Sequence, residues 1–435
     1  MKIKILKKMF WKLPIPGRIK ENLRMRYAEK KIKNEALEDG SIECVENEEV
    51  VREYAEYVLS NPTYKNKFYR AYEPHKVCEK KAILIAYYLT QYAPDNHNDK
   101  WWGRGTTEWN NVSKAVPQFV GHRQPRLPGE LGFYDLRIRA VMERQIEIAK
   151  NYGIEAFSFY YYWFAGERIL EKTLNMFLND KDLDMPFIFC WANENWTRRF
   201  SGTDADVLIG MENTVENYKA FIHEVMPYFS DERYLKINGK FILQIYRPNL
   251  IPEIEDVISY WRAEVKKHYN TDLYLIACQE ADVNWMKNGF DAENEWMQGS
   301  IKYQCKDITK QVIPVRKDFS GEVIDYRDMV LNKKYIIASN RKRKVYPAIM
   351  PFWDNSPRRN HRGIIWQNST PRLYKQWLIE LIKEVNLRSE KKELDSPLIF
   401  VNAWNEWGEG AYLEPDRDFG YAYLQATWEA LCENE

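Results

Sequence analysis

The sequence predicts an α/β protein, a (β/α)8 TIM-type barrel with a helical N-terminal extension. Short apolar runs, typical of buried strands, alternate with amphipathic helical segments from residue 79 onward. Polar segments rich in Trp and Asn follow several of these runs, as expected for loops at the C-terminal face of such a barrel. We therefore divide the chain into an extension, residues 1–78, and a barrel, residues 79–435.

Eight segments are predicted strands, because each is a short apolar or aromatic run bounded by polar or turn residues. They are residues 82–87, 155–161, 186–191, 241–246, 273–278, 290–294, 345–351 and 398–403. Apolar residues recur at the spacing of an amphipathic helix in residues 134–152, 215–229, 254–268 and 373–385. No glycine-rich phosphate loop follows a strand, which argues against an open dinucleotide-binding sheet.

The extension changes the sign of its charge along its length. Residues 1–33 are strongly basic with interleaved aromatic and aliphatic side chains, and residues 35–56 are mostly acidic. This pattern is typical of a solvated helical extension that packs on the main domain. The alternative is that the basic N-terminus makes a peripheral contact with an anionic membrane surface, where Lys and Arg bind favourably.

Composition excludes several classes of function. The chain has 435 residues, 45% hydrophobic residues and a formal net charge of +1, which is unlike the strong basic excess of a nucleic-acid binder. No apolar run reaches the ~20 residues of a membrane span, and the N-terminus lacks the apolar segment of a signal peptide. The six cysteines are scattered and read as free thiols. We therefore expect a cytoplasmic protein, with peripheral binding at the inner membrane as the alternative.

The segment from Asn402 to Gly410 contains two carboxylates, Glu406 and Glu409, between tryptophans and glycines. One carboxylic acid and one carboxylate are the groups needed to break or form a glycosidic bond. Tryptophan faces provide platforms for the C–H surfaces of sugars. A Glu-x-x-Glu pair is also common on solvated helix faces, so its surroundings matter. Similar Glu, Trp and Asn clusters follow other predicted strands, and the loops after barrel strands share one face.

We expect these loops and strand ends to bind the substrate around the catalytic pair. The residues concerned are Tyr87, Tyr88, Trp102, Glu108, Trp109, His122, Trp191, Asn193, Glu194, Trp196, Glu295, Trp353, Asp354, Trp404, Asn405 and Trp407. Glu280, after the fifth strand, belongs to the same group of carboxylates. As structural alternatives, His122 is held by backbone groups and Glu194 pairs with an arginine such as Arg198.

The sequence resembles the WbsX-like family of bacterial surface-polysaccharide loci, which is similar to glycoside hydrolase family 99. The resemblance rests on residues 86–92, 102–109, 124–128, 131–135, 190–196 and 402–410, and it implies a (β/α)8 barrel. It also implies that Glu406 acts as a base on the sugar 2-hydroxyl, giving a 1,2-anhydro sugar. Glu409 would protonate the leaving oxygen and later activate the acceptor, so that the anomeric configuration is retained.

Three hypotheses follow for the function. The first is a carbohydrate-active enzyme that cleaves or transfers at a glycosidic bond of a bacterial surface polysaccharide, O-antigen or capsule, or of its lipid-linked precursor. The second is a glycosyltransferase that uses an activated sugar donor. The third is a noncatalytic carbohydrate-binding protein. Asp204 and Asp206 form an Asp-x-Asp motif, but no nucleotide-binding fold surrounds it. We therefore expect an oligosaccharide or lipid-linked glycan as partner, with no metal, organic cofactor or nucleic acid.

Overall fold

The computed structural model describes residues 44–60, 65–76, 78–198, 206–278, 283–296, 301–335 and 343–432. The basic segment 1–33, Asp204 and Glu280 lie outside these residues. The barrel strands are β1 (Ile83–Tyr88), β2 (Ile154–Tyr161), β3 (Phe187–Trp191), β4 (Lys240–Ile245), β5 (Leu273–Cys278), β6 (Ala292–Asn294), β7 (Val345–Tyr346 and Ala348–Ile349) and β8 (Leu398–Val401).

Neighbouring strands pair in parallel in the order β1 to β6, and β8 pairs with β1. The seventh strand is divided at Pro347, and its first segment pairs with β6 while its second pairs with β8. The backbone N–H of Phe400 in β8 donates to the carbonyl of Pro347 at 3.0 Å, so the interruption does not open the wall. The predicted (β/α)8 barrel and its eight strand positions are confirmed.

Helices cover the barrel and form part of its loops. They are α1 (Cys44–Ser60), α2 (Asn96–Trp102), α3 (Trp109–Lys114), α4 (Arg139–Asn151), α5 (Glu171–Asn179), α6 (Val215–Val225), α7 (Ile254–Tyr269), α8 (Tyr326–Leu331), α9 (Ser356–Arg359), α10 (Pro371–Glu390) and α11 (Ala422–Cys432). Between β5 and β6 the described residues include a 3-10 turn, Trp285–Asn288. The four predicted helices correspond to α4, α6, α7 and α10.

A polar network crosses the interior of the barrel. Ser158 of β2 donates to the side-chain oxygen of Gln244 in β4 at 2.7 Å. The amide nitrogens of Gln244 and of Asn294 in β6 each donate to the hydroxyl oxygen of Tyr87 in β1 at 3.0 Å. All four side chains are fully buried. Because a buried polar group is costly unless it is hydrogen-bonded, this network fixes the relative positions of four strands.

The N-terminal segment packs on the barrel through polar and aromatic contacts. In α1, the Tyr54 hydroxyl donates to the carbonyl of His122 at 2.7 Å. His75 stacks on Trp428 of α11 with 3.9 Å between ring centroids. These contacts agree with the expectation of an extension packed on the main domain, while the division at residue 78 stays a prediction.

The cysteines correct one expectation from the sequence. Cys78 and Cys432 form a disulfide that joins the N-terminal segment to α11, so these two residues are not free thiols. Cys190, Cys278 and Cys305 are free, as expected. The scattered spacing gave no sign of the pairing, because the two cysteines are 354 positions apart and meet only in the closed barrel. None of the described helices is long and apolar enough to cross a membrane.

Candidate active site

Three carboxylates from two loops meet on one arginine at the C-terminal face of the barrel. Arg358 of α9 donates from Nε to Glu108 at 2.9 Å, from Nη1 to Glu409 at 2.6 Å and from Nη2 to Glu406 at 3.2 Å. The arginine side chain is 11% exposed and those of Glu108, Glu406 and Glu409 are 0%, 7% and 23% exposed. Glu409 is therefore the member of the cluster that is most open to solvent.

The backbone after β8 brings these groups together. Glu406 ends a short strand that pairs with residues 411–412, and Trp407–Glu409 forms a single 3-10 turn. A Cβ atom on Gly408 would lie 1.6 Å from Oε1 of Glu108, so only glycine leaves room for that carboxylate. Gly410 adopts φ +55°, and a Cβ there would lie 2.8 Å from the carbonyl oxygen of Asp354. The glycines that the sequence places around the pair thus allow the loops after β1, β7 and β8 to meet.

The cluster holds three acidic groups against a single cation, and this affects the affinity of Glu406 for its proton. Burial raises the pKa of Glu406 to about 8, with further contributions from Glu409 and Glu108 that outweigh the opposite effect of Arg358. One carboxyl group of the cluster therefore retains a proton near neutral pH. A protonated carboxyl beside an ionised one is the arrangement that acid–base work on a glycosidic bond requires.

Three side chains of the β1 and β8 loops hold the carboxylate cluster in place: Asn405, Trp407 and Trp109. The Asn405 side chain accepts from the N–H of Leu89 at 2.8 Å and donates to its carbonyl at 2.9 Å, which ties the β8 loop to the β1 loop. Trp407 donates from its indole nitrogen to Glu414 at 2.6 Å and is 1% exposed. Trp109 packs against Trp407 at 5.7 Å between ring centroids. Since these rings are buried, they position the loop rather than offer a face to a sugar.

Asp354 and His122 form a second buried pair next to Glu409. Nδ1 of His122 accepts from the N–H of Gln118 at 3.0 Å, so its Nε2 carries the proton and donates to Asp354 at 2.7 Å. Burial alone would raise the pKa of Asp354, but His122 and Arg126 outweigh it and hold the pKa well below its usual range. The backbone N–H of Asp354 donates to the carbonyl of Glu409 at 2.7 Å. The pair thus holds the Glu409 backbone in place.

A further group of predicted residues lies where β3 and β4 end. Glu194 accepts from Nε of Arg247 at 3.1 Å, and the side chain of Asn193 accepts from the backbone N–H of Arg247 at 2.7 Å. Trp196 meets Tyr162 edge to face at 5.1 Å between ring centroids. The sequence-based alternative, that Glu194 pairs with an arginine, agrees with the structure, where the arginine is Arg247, while Arg198 lies 3.5 Å from Asp206. Glu194 and Arg247 remain partly exposed at 23% and 35%.

Three predicted binding residues point away from the barrel axis, contrary to expectation. The Tyr88 hydroxyl donates to Gln145 of α4 at 2.6 Å, and Trp191 stacks on Phe221 of α6 at 3.6 Å between ring centroids. Trp404 is fully buried and packs against Phe157. Successive residues of a strand face opposite sides, and in β1 and β3 both sides are apolar or aromatic, so the pattern of these strands does not separate inward from outward positions.

The other predicted residues occupy distinct places. Tyr87 lies within the barrel and stacks on Tyr160 at 5.5 Å between ring centroids. Glu295 is 4% exposed and accepts from the backbone N–H of Ala348 in β7 at 3.1 Å. Trp353 is 7% exposed, and Trp102 is partly exposed beside Trp101. Of the carboxylates expected to converge that the structure describes, only Glu108, Glu406 and Glu409 contact Arg358 through hydrogen bonds.

Sequence reasoning missed the two arginines that organise these groups. Arg358 follows Ser356 and Pro357 in a short polar segment without any recognisable motif, and it meets Glu108 250 positions away. Arg247 lies two residues after the end of β4, and its place near a strand end was the one available sign. No cluster of three or more His, Cys, Asp or Glu side chains suited to a metal occurs in the part of the chain that the structure describes.

Comparison with known proteins identifies the family. The family model described as glycosyltransferase WbsX matches residues 84–427. The protein WxcX of Xanthomonas campestris pv. campestris is 40% identical over 351 residues, which cover 80% of this chain and 50% of WxcX. The same figures hold for WxcX from a second strain, so the chain spans about half the length of the curated relatives it matches.

A solved structure shares the fold, and a second one aligns more weakly. A glycoside hydrolase-like protein aligns with a TM-score of 0.53 and 14% identity, over 84% of this chain and 98% of its own. The GH99 endo-alpha-mannosidase from Bacteroides thetaiotaomicron aligns with a TM-score of 0.46 and 13% identity, over 80% of this chain and 96% of its own. The family match confirms the resemblance to the WbsX-like family that was drawn from the motifs. The chain belongs to the WbsX glycosyltransferase family.

Proposed function

We propose that this protein breaks and re-forms a glycosidic bond of a bacterial surface polysaccharide, or of its lipid-linked precursor, with retention of configuration. The observation that supports this most strongly is the convergence of Glu406, Glu409 and Glu108 on Arg358 at the C-terminal face of the barrel. In such barrels this is the face where chemistry takes place. A hydrolase and a transferase of this kind differ only in whether water or a sugar hydroxyl accepts the glycosyl group.

In the proposed first step, Glu406 removes the proton of the sugar 2-hydroxyl, and the resulting oxygen attacks the anomeric carbon. The bond to the leaving oxygen breaks while Glu409 protonates that oxygen, which leaves a 1,2-anhydro sugar. In the second step, Glu409 removes a proton from the acceptor hydroxyl, which opens the anhydro ring, and Glu406 returns its proton to O2. Two inversions at one carbon give net retention.

Arg358 contacts both Glu406 and Glu409, so it affects which of these two carboxyl groups carries the proton. It donates to Glu409 at 2.6 Å and to Glu406 at 3.2 Å, while burial raises the pKa of Glu406 to about 8. In the free enzyme the proton of the pair therefore resides on Glu406. For the proposed first step it has to move to Glu409 as the substrate hydroxyl replaces solvent, and Arg358 contacts both groups along this path.

Aryl glycosides with good and poor leaving groups test these roles. Replacing the general acid by glutamine should lower the rate about 10²–10⁴-fold with a poor leaving group and far less with a good one. Replacing the base should lower both rates alike. We expect the first behaviour from Glu409→Gln and the second from Glu406→Gln, with Glu143→Gln on the exposed face of α4 as the control. If both variants retain wild-type rates with every substrate, the proposal is wrong.

A transferase that uses an activated sugar donor is the second candidate, because the matching family is described as a glycosyltransferase family. Incubation with nucleotide sugars and, separately, with oligosaccharides distinguishes the two. Release of the nucleotide in the presence of an acceptor glycan would favour the second candidate. Sugar binding without turnover of either substrate class would favour a noncatalytic carbohydrate-binding protein.

The cellular location is part of the same proposal. Assembly of a lipid-linked glycan would place the protein in the cytoplasm at the inner membrane, where a basic N-terminus meets anionic lipids. The disulfide between Cys78 and Cys432 argues against the cytoplasm, because such bonds are rare in reducing compartments. Alkylation of free thiols in intact cells, followed by mass spectrometry, decides between the two locations. Modification of both Cys78 and Cys432 would support the cytoplasm.

A further inference from the structure

The interior of the barrel is built in layers, and the layer above the polar network forms the floor of the mouth. In such barrels alternate strands contribute the side chains of one layer, and residues two positions apart on a strand lie in successive layers. Strands β2, β4 and β6 each contribute one residue to the polar network: Ser158, Gln244 and Asn294. The next inward positions toward the C-terminal face are aromatic on all three strands: Tyr160, Tyr246 and Trp296.

Ring contacts place these three aromatic side chains on top of the network. Tyr160 stacks on Tyr87 with 5.5 Å between ring centroids, and Trp296 meets Tyr87 edge to face at 5.2 Å. Trp296 also meets Tyr246 edge to face at 5.0 Å. The Tyr87 hydroxyl is held by two amide groups in the centre of the barrel, so the rings around it share one surface. We call Tyr160, Tyr246 and Trp296 the aromatic floor.

The aromatic floor is open toward solvent, unlike the buried rings of Trp109 and Trp407. Tyr246 and Trp296 are partly exposed. Tyr160 is 8% exposed, and its hydroxyl is not enclosed although it makes no hydrogen bond to a described residue. The indole N–H of Trp296 is likewise open and unpaired within the described part of the chain. A sugar can use such groups, because its C–H surface packs on an open ring while its hydroxyls bind unpaired polar atoms.

The floor adjoins the candidate catalytic pair. The backbone N–H of Trp404, two residues before Glu406, donates to the carbonyl of Tyr87 at 2.8 Å. The β8 loop therefore leaves the barrel beside the residue on which Tyr160 stacks. Burial and the charge of Glu406 raise the pKa of Tyr160 well above its usual value, so this hydroxyl keeps its proton and is able to donate it in a hydrogen bond.

The charges around the floor favour a neutral sugar. Arg247, which pairs with Glu194, lies over the ring of Tyr246 at 4.4 Å. On the other side, Arg358 faces the three carboxyl groups of the cluster. Among the described residues of these two groups, four carboxyl groups face two arginines, and one of the four retains a proton. A sugar that carried a further carboxylate would therefore be repelled.

We propose that the aromatic floor binds the neutral sugar ring whose glycosidic bond is broken, with its C–H face on Trp296 and one of its hydroxyl groups bonded to Tyr160. The choice of a sugar as ligand rests on the proposed function. The inference adds the substrate class, a neutral pyranose, and two substrate-binding residues outside the carboxylate cluster. Binding is measured without turnover, so this inference and the proposed function can fail separately.

Selective ¹⁵N labelling of tryptophan tests the floor in the full-length protein. The indole signals of Trp296 and Trp428 are assigned by their loss in Trp296→Leu and Trp428→Leu. The titrants are glucose, galactose, mannose, rhamnose, N-acetylglucosamine and glucuronate. We expect at least one of the five neutral sugars to shift the Trp296 signal, while the signal of Trp428, which stacks on His75, stays in place. Glucuronate should bind at least about tenfold more weakly than the best neutral sugar.

The affinity of the variants for the best neutral sugar is measured by saturation transfer from the protein to the sugar. Trp296→Leu, which removes the ring, should weaken binding about tenfold, and Tyr160→Phe, which removes only the hydroxyl, about 2- to 10-fold. Trp428→Leu is the control for the first, because Trp428 is also partly exposed and packs against a ring. Tyr260→Phe is the control for the second, because Tyr260 is partly exposed on α7. If Trp296→Leu does not fold, Tyr160→Phe provides the test alone.

The inference is wrong if no neutral sugar shifts the Trp296 signal, if glucuronate binds as tightly as the best neutral sugar, or if the floor variants bind like their controls. Glu409→Gln should lose turnover and keep the Trp296 shift. A wild-type protein that binds a neutral sugar but turns over no glycoside would refute the proposed function alone. Turnover with an unchanged kcat/KM in both Trp296→Leu and Tyr160→Phe would refute this inference alone.

Discussion

Replacing Arg358 by methionine would test how the carboxylate cluster is tuned. Methionine keeps much of the apolar stem but removes the only cation that contacts Glu108, Glu406 and Glu409 through hydrogen bonds among the described residues. Without that cation the ionised form of Glu406 becomes less favourable. The proton of Glu406, whose pKa is already raised to about 8 by burial and its acidic neighbours, should therefore be held more tightly.

The size of the effect follows from the geometry. Nη2 of Arg358 lies 3.2 Å from Glu406, and at an effective dielectric constant of about 20 the attraction between unit charges at this distance is about 5 kcal/mol. That value would correspond to nearly 4 pKa units, but water entering the vacated space and proton sharing among the carboxylates reduce it. We expect the pKa of Glu406 to rise by about 1–2 units. The ionised fraction at pH 7 would then fall about 10- to 100-fold.

The assay is the pH dependence of kcat/KM, supported by a ¹³C NMR titration of the glutamate carboxyl groups. In Arg358→Met the basic limb of the rate profile should move to higher pH by about 1–2 units, since the pair is active only while it holds the proton that passes from Glu406 to Glu409. Arg343→Met is a closely matched control: Arg343 is 10% exposed, pairs with the buried Glu293 at 3.0 Å and precedes β7. It should cost stability without moving the profile. A uniform loss of rate at every pH in Arg358→Met would refute the reasoning.

Three further predictions concern other parts of the same structure. Gly408→Ala should abolish most of the activity at wild-type expression, because its Cβ would lie 1.6 Å from Oε1 of Glu108; an active, folded variant would contradict the packing. Burial raises the pKa of Glu414 to about 7, so this group stabilises the fold below pH 4.5 and loses that contribution as pH rises to about 7. Urea unfolding should therefore show a slope over this range that Glu414→Gln reduces. Reducing the Cys78–Cys432 disulfide should lower the free energy of unfolding by about 2–5 kcal/mol, and an unchanged melting temperature in Cys432→Ser would contradict this.

The sequence was sufficient to predict the barrel, because each strand is a short apolar run with clear boundaries. Residues 398–401 and 273–278 illustrate this, since every residue in both segments is buried in the structure. It was also sufficient to bring Glu108 and the pair Glu406 and Glu409 to one face, because the ends of parallel strands meet there. Whether this pair performs the chemistry stays a prediction.

The orientation of single side chains could not be predicted in the same way. Tyr88 and Trp191 lie at strand ends next to polar loops, yet both point toward the surrounding helices. The residues of β1 and β3 are apolar or aromatic on both sides, so nothing in their pattern separates the two directions. The arginine partners of Glu194 and Glu409 could not be predicted either, because Arg247 and Arg358 come from distant segments and carry no motif.

The loops after β7 and β8 are joined next to the carboxylate cluster, and this limits how the substrate can enter. The backbone N–H of Asp354 donates to the carbonyl of Glu409, and no room is left beside Gly410. The seventh and eighth loops are fastened to each other, so neither swings aside without the other. Access to the acid pair must then be governed on the opposite rim, where Glu194, Arg247 and Trp196 follow the third and fourth strands. Relatives that handle different sugars should therefore diverge mainly on that rim and keep the fastened side unchanged.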